Sequence, residues 1–275
     1  MHSESVVSVG VSNMLRNRVY TALALALAAA VTILWSPIWL FGMTFGVACC
    51  FAAYEWAAMA GWRTPRNRLF YVFSLVSLML LSLTVQTLWL EIVTLSCLVW
   101  FGGFVSIIVH PRISAMYRSH WFVASLGWIL LLSAWFGLLT LVQVDNGRLW
   151  VFWLFLLTTA TDVGAFFLGR AFGQYALAPQ ISPGKTREGA GGGLVLALVV
   201  CVPMLFLSGA LDFYASIGMT IVMSIVSIFG DLFESLLKRV SGIKDSGALL
   251  PGHGGLLDRI DSIIAVVPFL AWSVC

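Results

Sequence analysis

Apolar residues gather into nine runs along the chain, each closed by a charge, a proline or a glycine: Val19–Trp35, Ile38–Ala60, Leu69–Leu83, Leu88–Val109, Trp121–Val144, Leu149–Leu168, Leu194–Phe206, Phe213–Gly230 and Ile260–Cys275. Crossing the hydrocarbon core as a helix takes about 20 residues. Several runs are shorter, so their helices must extend into polar flanks or lie obliquely. The third, seventh and ninth carry the weakest pattern. Eight or nine spans therefore predict an all-α, polytopic integral membrane protein.

Composition sharpens this picture. Of 275 residues, 60% are apolar and only 10% are charged, against about 25% charged in an ordinary soluble domain. A soluble globule of this size has too little interior to hide so much apolar surface. The net charge of +3 arises from dispersed residues, with no basic stripe of the kind nucleic acid requires. Fourteen of the 15 basic residues fall on one side of a nine-span arrangement, Arg148 being the exception. The positive-inside rule makes that side cytoplasmic and puts the N-terminus there. Cys49, Cys50, Cys97, Cys201 and Cys275 lack metal or redox spacing and read as small core residues. Trp35, Trp62, Trp121 and Trp150 lie near run ends, as an interfacial belt would.

Chemistry is unevenly distributed. Residues 1–148 hold almost none and read as a scaffold of about five helices; residues 149–275 carry the candidate site. Glu55 and Glu91 are the acids within the early apolar runs; for Glu55, near the cytoplasmic end, snorkelling or pairing with Arg63 is the simplest expectation, with a functional role the alternative. Between Asp162 and Asp261 lie 15 of the 27 charged residues and all three lysines. Asp162 sits inside an apolar run, where an ionisable group must be paired, metal-bound or turned to water. The segment from Ile181 to Gly193 combines Ser182, Lys185, Thr186 and Arg187 with several glycines. Its Gly-Lys-Thr is not a Walker A loop, because Pro179 stands where the leading glycine is needed and no strand is expected before it. A basic turn open to phosphate oxygens remains, and close helix packing by Gly189–Gly193 is compatible with it.

The densest stretch runs from Gly230 to Asp261. If helix eight continues past Gly230, Asp231, Glu234, Ser235 and Lys238 share one face, while Asp258 and Asp261 share a face at the start of helix nine. Carboxylates from separate helices can hold Mg²⁺, a hard ion that also takes substrate phosphates. Lys238, Arg239, Lys244 and Arg259 supply the positive charge for a polyphosphate. His253, in Pro-Gly-His-Gly-Gly, donates to a phosphate or completes a turn. Zinc spacing and Ser/His/Asp or Cys/His arrangements are absent from the sequence.

Ser235, Leu237-Lys238-Arg239, Lys244-Asp245, Gly247, Leu250-Pro251, His253-Gly254-Gly255-Leu256 and Asp258-Arg259-Ile260-Asp261 satisfy, over 27 residues, a signature that resembles that of the phosphatidate cytidylyltransferase (CDP-diacylglycerol synthase) family. Asp162-Val-Gly-Ala-Phe-Phe-x-Gly-Arg170 and Ile181-Ser182-Pro183 with Lys185-Thr186 and Glu188-Gly189 are similar to the same family, Gly184 departing from its usual Lys or Asn; Tyr54-Glu55-Trp56 is a fainter likeness. The resemblance implies an all-helical, multi-pass enzyme of the bacterial inner membrane, with its active-site loops cytoplasmic. Such an enzyme condenses CTP with phosphatidic acid, giving CDP-diacylglycerol and pyrophosphate with Mg²⁺. On matching positions it implies Asp231 and Asp258 as metal carboxylates, with Asp162 and Asp261 close by, and it adds a monovalent cation such as K⁺ and a homodimer. Lys185, Lys238, Arg239, Lys244 and His253 are then the charge-neutralising catalytic candidates, with Ser182, Thr186, Gly254, Gly255 and Arg259 about the nucleotide. Two rivals are a CTP-dependent lipid kinase, which would release CDP, and a cation-coupled transporter, which predicts inverted repeats that the sequence lacks.

Overall fold

The computed structural model describes residues 27–84, 89–112, 114–247, 249 and 254–275. Among them are nine α-helices, one over each apolar run: α1 (27–35), α2 (Ile38–Met59), α3 (Pro65–Leu83), α4 (Trp89–Val109), α5 (His120–Gln143), α6 (Gly147–Phe172), α7 (Arg187–Leu207), α8 (Phe213–Val240) and α9 (Leu257–Val274). Helices α2 to α8 are long and apolar enough to cross a membrane. The described part of α1 is short, and the 18-residue α9 carries Asp258, Arg259 and Asp261. The chain is an all-α, polytopic membrane protein.

Local sequence sets the helix starts. Thr64 accepts a hydrogen bond from Asn67 N at 3.3 Å and is followed by Pro65 at the first helical position. Ser119, Thr186 and Asp212 likewise cap α5, α7 and α8 by accepting from the backbone N–H three residues on. Each such cap satisfies a donor that the helix itself leaves orphaned, worth about 1 kcal/mol.

Apolar attraction between helices is weak in lipid, so polar contacts and close fit hold the bundle. Trp56 Nε1 on α2 donates to Val123 O at 2.8 Å, and Tyr71 OH on α3 donates to Ala124 O at 2.7 Å, tying both helices to α5. Ser133 of α5 donates to Ser96 Oγ of α4 at 2.7 Å. Arg148 explains its place as the outlying basic residue: its guanidinium donates to Ile33 O and Ser36 O, both at 2.6 Å, and so closes the end of α1. The aromatic belt needs one correction. Trp35 and Trp121 are exposed, but Trp150 is only 5% exposed and packs in the core against Trp153. The cysteines are all free; Cys49 and Cys201 are buried as expected, whereas Cys275 is exposed because it ends α9.

The tightest helix pair is α6 with α7. A Cβ at Gly164 would lie 2.6 Å from Gly192 O, one at Gly189 2.8 Å from Ala165 O, and one at Gly193 2.5 Å from Thr161 O. The two backbones touch, as the glycine-rich sequence allows. Between them lies a departure from an all-helical expectation: an antiparallel hairpin of β1 (Ala176–Ala178) and β2 (Ser182–Thr186), turning at Pro179-Gln180. A strand does therefore precede Gly-Lys-Thr, but the tripeptide belongs to the second strand of a hairpin and is extended. It forms no phosphate-wrapping loop.

This packing makes opposite predictions for two neighbouring glycines. Gly193→Ala should lower melting in detergent, because overpacking costs about 1–3 kcal/mol and exceeds the gain in helix propensity of about 1 kcal/mol. Gly191 has open space around it, so Gly191→Ala should leave melting unchanged or raise it. Equal behaviour of the two variants would refute the close contact.

Candidate active site

Helix α8 outruns its apolar stretch because Leu232, Phe233, Leu236 and Leu237 keep a helical period and are all buried. The remaining positions of those turns present Asp231, Glu234 and Lys238 together. Three of the four residues expected on one face join the charge cluster; Ser235 is buried and lies outside the cavity lining. Opposite stands the start of α9, with Asp258, Arg259 and Asp261. The cytoplasm-facing half of α6 in the predicted topology adds Asp162 and Arg170, and β2 adds Lys185 and Thr186. These elements enclose a cavity of about 530 Å³ lined by Asp162, Arg170, Lys185, Thr186, Asp231, Asp258, Arg259 and Asp261.

Lys185 forms an ion pair with Asp231; their side chains are 28% and 29% exposed, although the Lys185 ammonium itself is buried. Lys238, whose side chain is 12% exposed, bridges two helices: its ammonium donates to Asp258 Oδ1 at 2.7 Å and to Glu234 Oε2 at 3.2 Å. Asp258 is further held by Ser246 N at 3.1 Å and Gly255 N at 3.0 Å, both donating to Oδ2. Between these pairs, one carboxylate oxygen each from Asp231, Glu234 and Asp261 lie within 4.8 Å of one another. Glu234 is buried, and its Oε1 has no hydrogen-bond partner. A buried, unpartnered oxygen on a carboxylate that belongs to such a trio is suited to a cation.

Most residues singled out from the sequence converge here, with distinct placements. Asp162 is exposed and borders the cavity rather than being buried in the bundle. Thr186 lines the cavity while capping α7. Arg239 donates through Nε to Ile181 O at 3.1 Å, so it fastens the hairpin to α8 and lies outside the cavity lining. Ser182 and Lys244 also lie outside that lining, and Lys244 is exposed. Gly254 has φ +82°, which favours glycine, and an added Cβ would stand 3.2 Å from Asp258 Oδ2. Gly255 packs against Ser246 and Glu55. His253 lies outside the described residues.

Glu55 corrects an expectation. Instead of pairing with Arg63 it is buried, and it accepts from Leu257 N at 2.8 Å, Leu256 N at 3.2 Å and Ser246 Oγ at 3.2 Å. Its isolation in an apolar run, beside Tyr54 and Trp56, was the signal. Ser246 and the membership of Glu234 in the carboxylate trio had no comparable mark, because both depend on where α9 returns.

A family model described as the cytidylyltransferase family matches residues 16–274. The chain belongs to the cytidylyltransferase family. It is 36% identical over 261 residues to a protein named phosphatidate cytidylyltransferase from Pseudomonas aeruginosa, covering 94% of this chain and 96% of that one. A protein of the same name from Haemophilus influenzae is 31% identical over 283 residues, covering 94% and 98%. One from Staphylococcus haemolyticus is 46% identical over 127 residues, 46% of this chain and 49% of that one. Family membership makes the chain a nucleotidyltransferase and sets the transporter reading aside.

The buried bridge yields a stability prediction. Lys238→Met leaves the Glu234 and Asp258 carboxylates without their shared counter-charge. Breaking a buried pair in this way costs about 3–5 kcal/mol. Melting in detergent should fall by roughly 10 °C; a variant that melts with the parent would show the bridge to be energetically idle.

Proposed function

We propose that this protein transfers the cytidylyl group of CTP to phosphatidic acid, forming CDP-diacylglycerol and pyrophosphate. The observation that carries this reading is the single cavity in which Lys185, Arg170 and Arg259 face the carboxylates of Asp162, Asp231, Asp258 and Asp261, in a chain similar over nearly its whole length to proteins named phosphatidate cytidylyltransferase.

The reaction joins two polyanions. A phosphate oxygen of the lipid attacks the α-phosphorus of CTP, a new P–O bond forms, and the bond to the oxygen bridging the α- and β-phosphorus breaks. The electron pair departs with pyrophosphate. Repulsion between the partners is the main barrier, and fixed positive charge lowers it. Lys185, on the outer wall, neutralises the triphosphate as it enters, exchanging Asp231 for phosphate oxygens. Arg259 and Arg170 offer planar donors to the remaining oxygens. Lys238 keeps Asp258 ionised and fixed on the inner wall.

Mg²⁺ belongs to the same reading. Asp231, Glu234 and Asp261 form an all-oxygen donor set, and the partnerless buried Oε1 of Glu234 fits a hard cation. Asp258, proposed with Asp231 on resemblance, has its oxygens occupied by Lys238 and two backbone N–H groups; it and Asp162 would border the ion. When bound, Mg²⁺ supplies Lewis-acid stabilisation of the phosphate oxygens. The reading also takes from the family resemblance a monovalent cation such as K⁺, a homodimer and the bacterial inner membrane.

Purified protein given CTP and phosphatidic acid should yield a CMP-linked lipid and pyrophosphate; release of CDP with a phosphorylated lipid would instead identify a lipid kinase. In the same assay Lys185→Ala should depress kcat by about a hundredfold while melting falls less than in Lys238→Met, because the side chains of the pair it loses are more exposed than those of the Lys238 bridge. Lys185→Arg should restore activity only partly, since a planar fork replaces a compact charge. Unchanged kcat in Lys185→Ala would remove Lys185 from the mechanism.

Orientation has its own test. Cysteine reporters in Gly61–Arg68 and Ser241–Gly247, with the native cysteines replaced, should react with an impermeant maleimide only from the cytoplasmic side, as the basic-residue asymmetry requires. Labelling of either segment from the opposite side would overturn the topology.

A further inference from the structure

We infer that Glu55 is a positioning residue for the transferase site: its carboxylate, delivered from α2, clamps the segment that presents Asp258 to Lys238. The inference rests on the proposed transferase reading for its kinetic consequence and on geometry alone for the clamp.

Helix α9 starts at Leu257 with no side-chain cap of its own, although its first N–H groups need acceptors. Glu55 supplies them from a residue two hundred positions away. Oε1 accepts from Leu256 N at 3.2 Å and Oε2 from Leu257 N at 2.8 Å. A carboxylate at a helix N-terminus also meets the positive end of its dipole. Ser246 completes the arrangement: its Oγ donates to Glu55 Oε2 at 3.2 Å while its N–H donates to Asp258. Ser246 is thus held between the two carboxylates, one on each side. Glycines allow the fit, because a Cβ at Gly255 would stand 2.7 Å from Glu55 Oε2, and one at Gly247 would collide with Oε1.

Glu55 does not line the cavity, so its effect passes through Asp258 and the segment around it. The site is selective for a carboxylate. Three donors converge on two acceptor-only oxygens, and an amide would turn an NH₂ group toward an N–H. Glu55→Gln therefore keeps the shape and breaks the clamp.

The experiment is performed on the full-length protein in detergent, with hydrogen exchange and steady-state kinetics measured side by side. In Glu55→Gln, exchange of the Leu256 and Leu257 amides should quicken while α6 and α7 remain protected. The kcat for CTP and phosphatidic acid should fall roughly tenfold or more, as small misplacements of reacting groups do. Glu55→Asp should recover part of both. The clamp is overturned if exchange at those amides is unchanged, and the positioning role if kcat stays within about twofold of the parent or falls only in step with melting. Should Glu55→Gln fail to fold, Ser246→Ala tests the same link by removing one donor: faster local exchange with reduced kcat supports the inference, and parental values of both refute it. A parent protein that makes no CMP-linked lipid would sink the transferase reading, with the exchange result still deciding the clamp.

Discussion

The site depends on one ammonium group held between two helices. Lys238 touches Glu234 four residues back on its own helix and Asp258 at the start of the next. Charge this deep is stable only when its partners come with it, because desolvation of each ion alone costs several kcal/mol. That requirement fixes how α9 must return against α8. It also gathers one carboxylate oxygen each from Asp231, Glu234 and Asp261 within 4.8 Å of one another. A bundle held only by apolar contact would have no reason to choose this register.

Small residues do for α6 and α7 what charge does for α8 and α9. Gly164, Gly189 and Gly193 bring the two backbones into contact, and the chain linking them is short enough to fold into the β1–β2 hairpin. Arg239 then ties that hairpin to α8 through Ile181 O. Lys185 is thereby carried on a structure anchored at both ends, and its ammonium meets Asp231 across the cavity mouth. Glycine packing within the membrane and cation placement at its edge are consequences of the same segment, so the two readings of Gly189–Gly193 were never alternatives.

Much of this was legible in the sequence, for physical reasons. Spans are visible because lipid tolerates little except long apolar helices, and every run contains a helix among its described residues. The face shared by Asp231, Glu234 and Lys238 follows from helical period once α8 is known to continue, which its buried leucines ensure. What stayed hidden needed long-range knowledge. The hairpin has only three and five residues per strand, too few for an alternating pattern. Trp150 gave the same signal as a belt tryptophan, since nearness to a run end says nothing of which side faces lipid. Glu55 was conspicuous as an acid among apolar residues, yet its partners are backbone N–H groups, which no side-chain pattern reveals.

Counting charges also conceals how differently they are used. Arg148 is the exception to the one-sided distribution, but its guanidinium is engaged by two carbonyls that end α1. On the basic side, Arg68 donates to Trp62 O and Arg239 to Ile181 O, while Lys238 is absorbed by carboxylates. These groups still orient the chain, because translocating a charge is costly whatever it later binds. Position, not charge alone, decides which of them can meet a substrate. Among the lysines and arginines from 170 onward, only Arg170, Lys185 and Arg259 line the cavity. The electrostatic attraction for a polyphosphate therefore comes from a small subset, set opposite the acids that would share the same ligand.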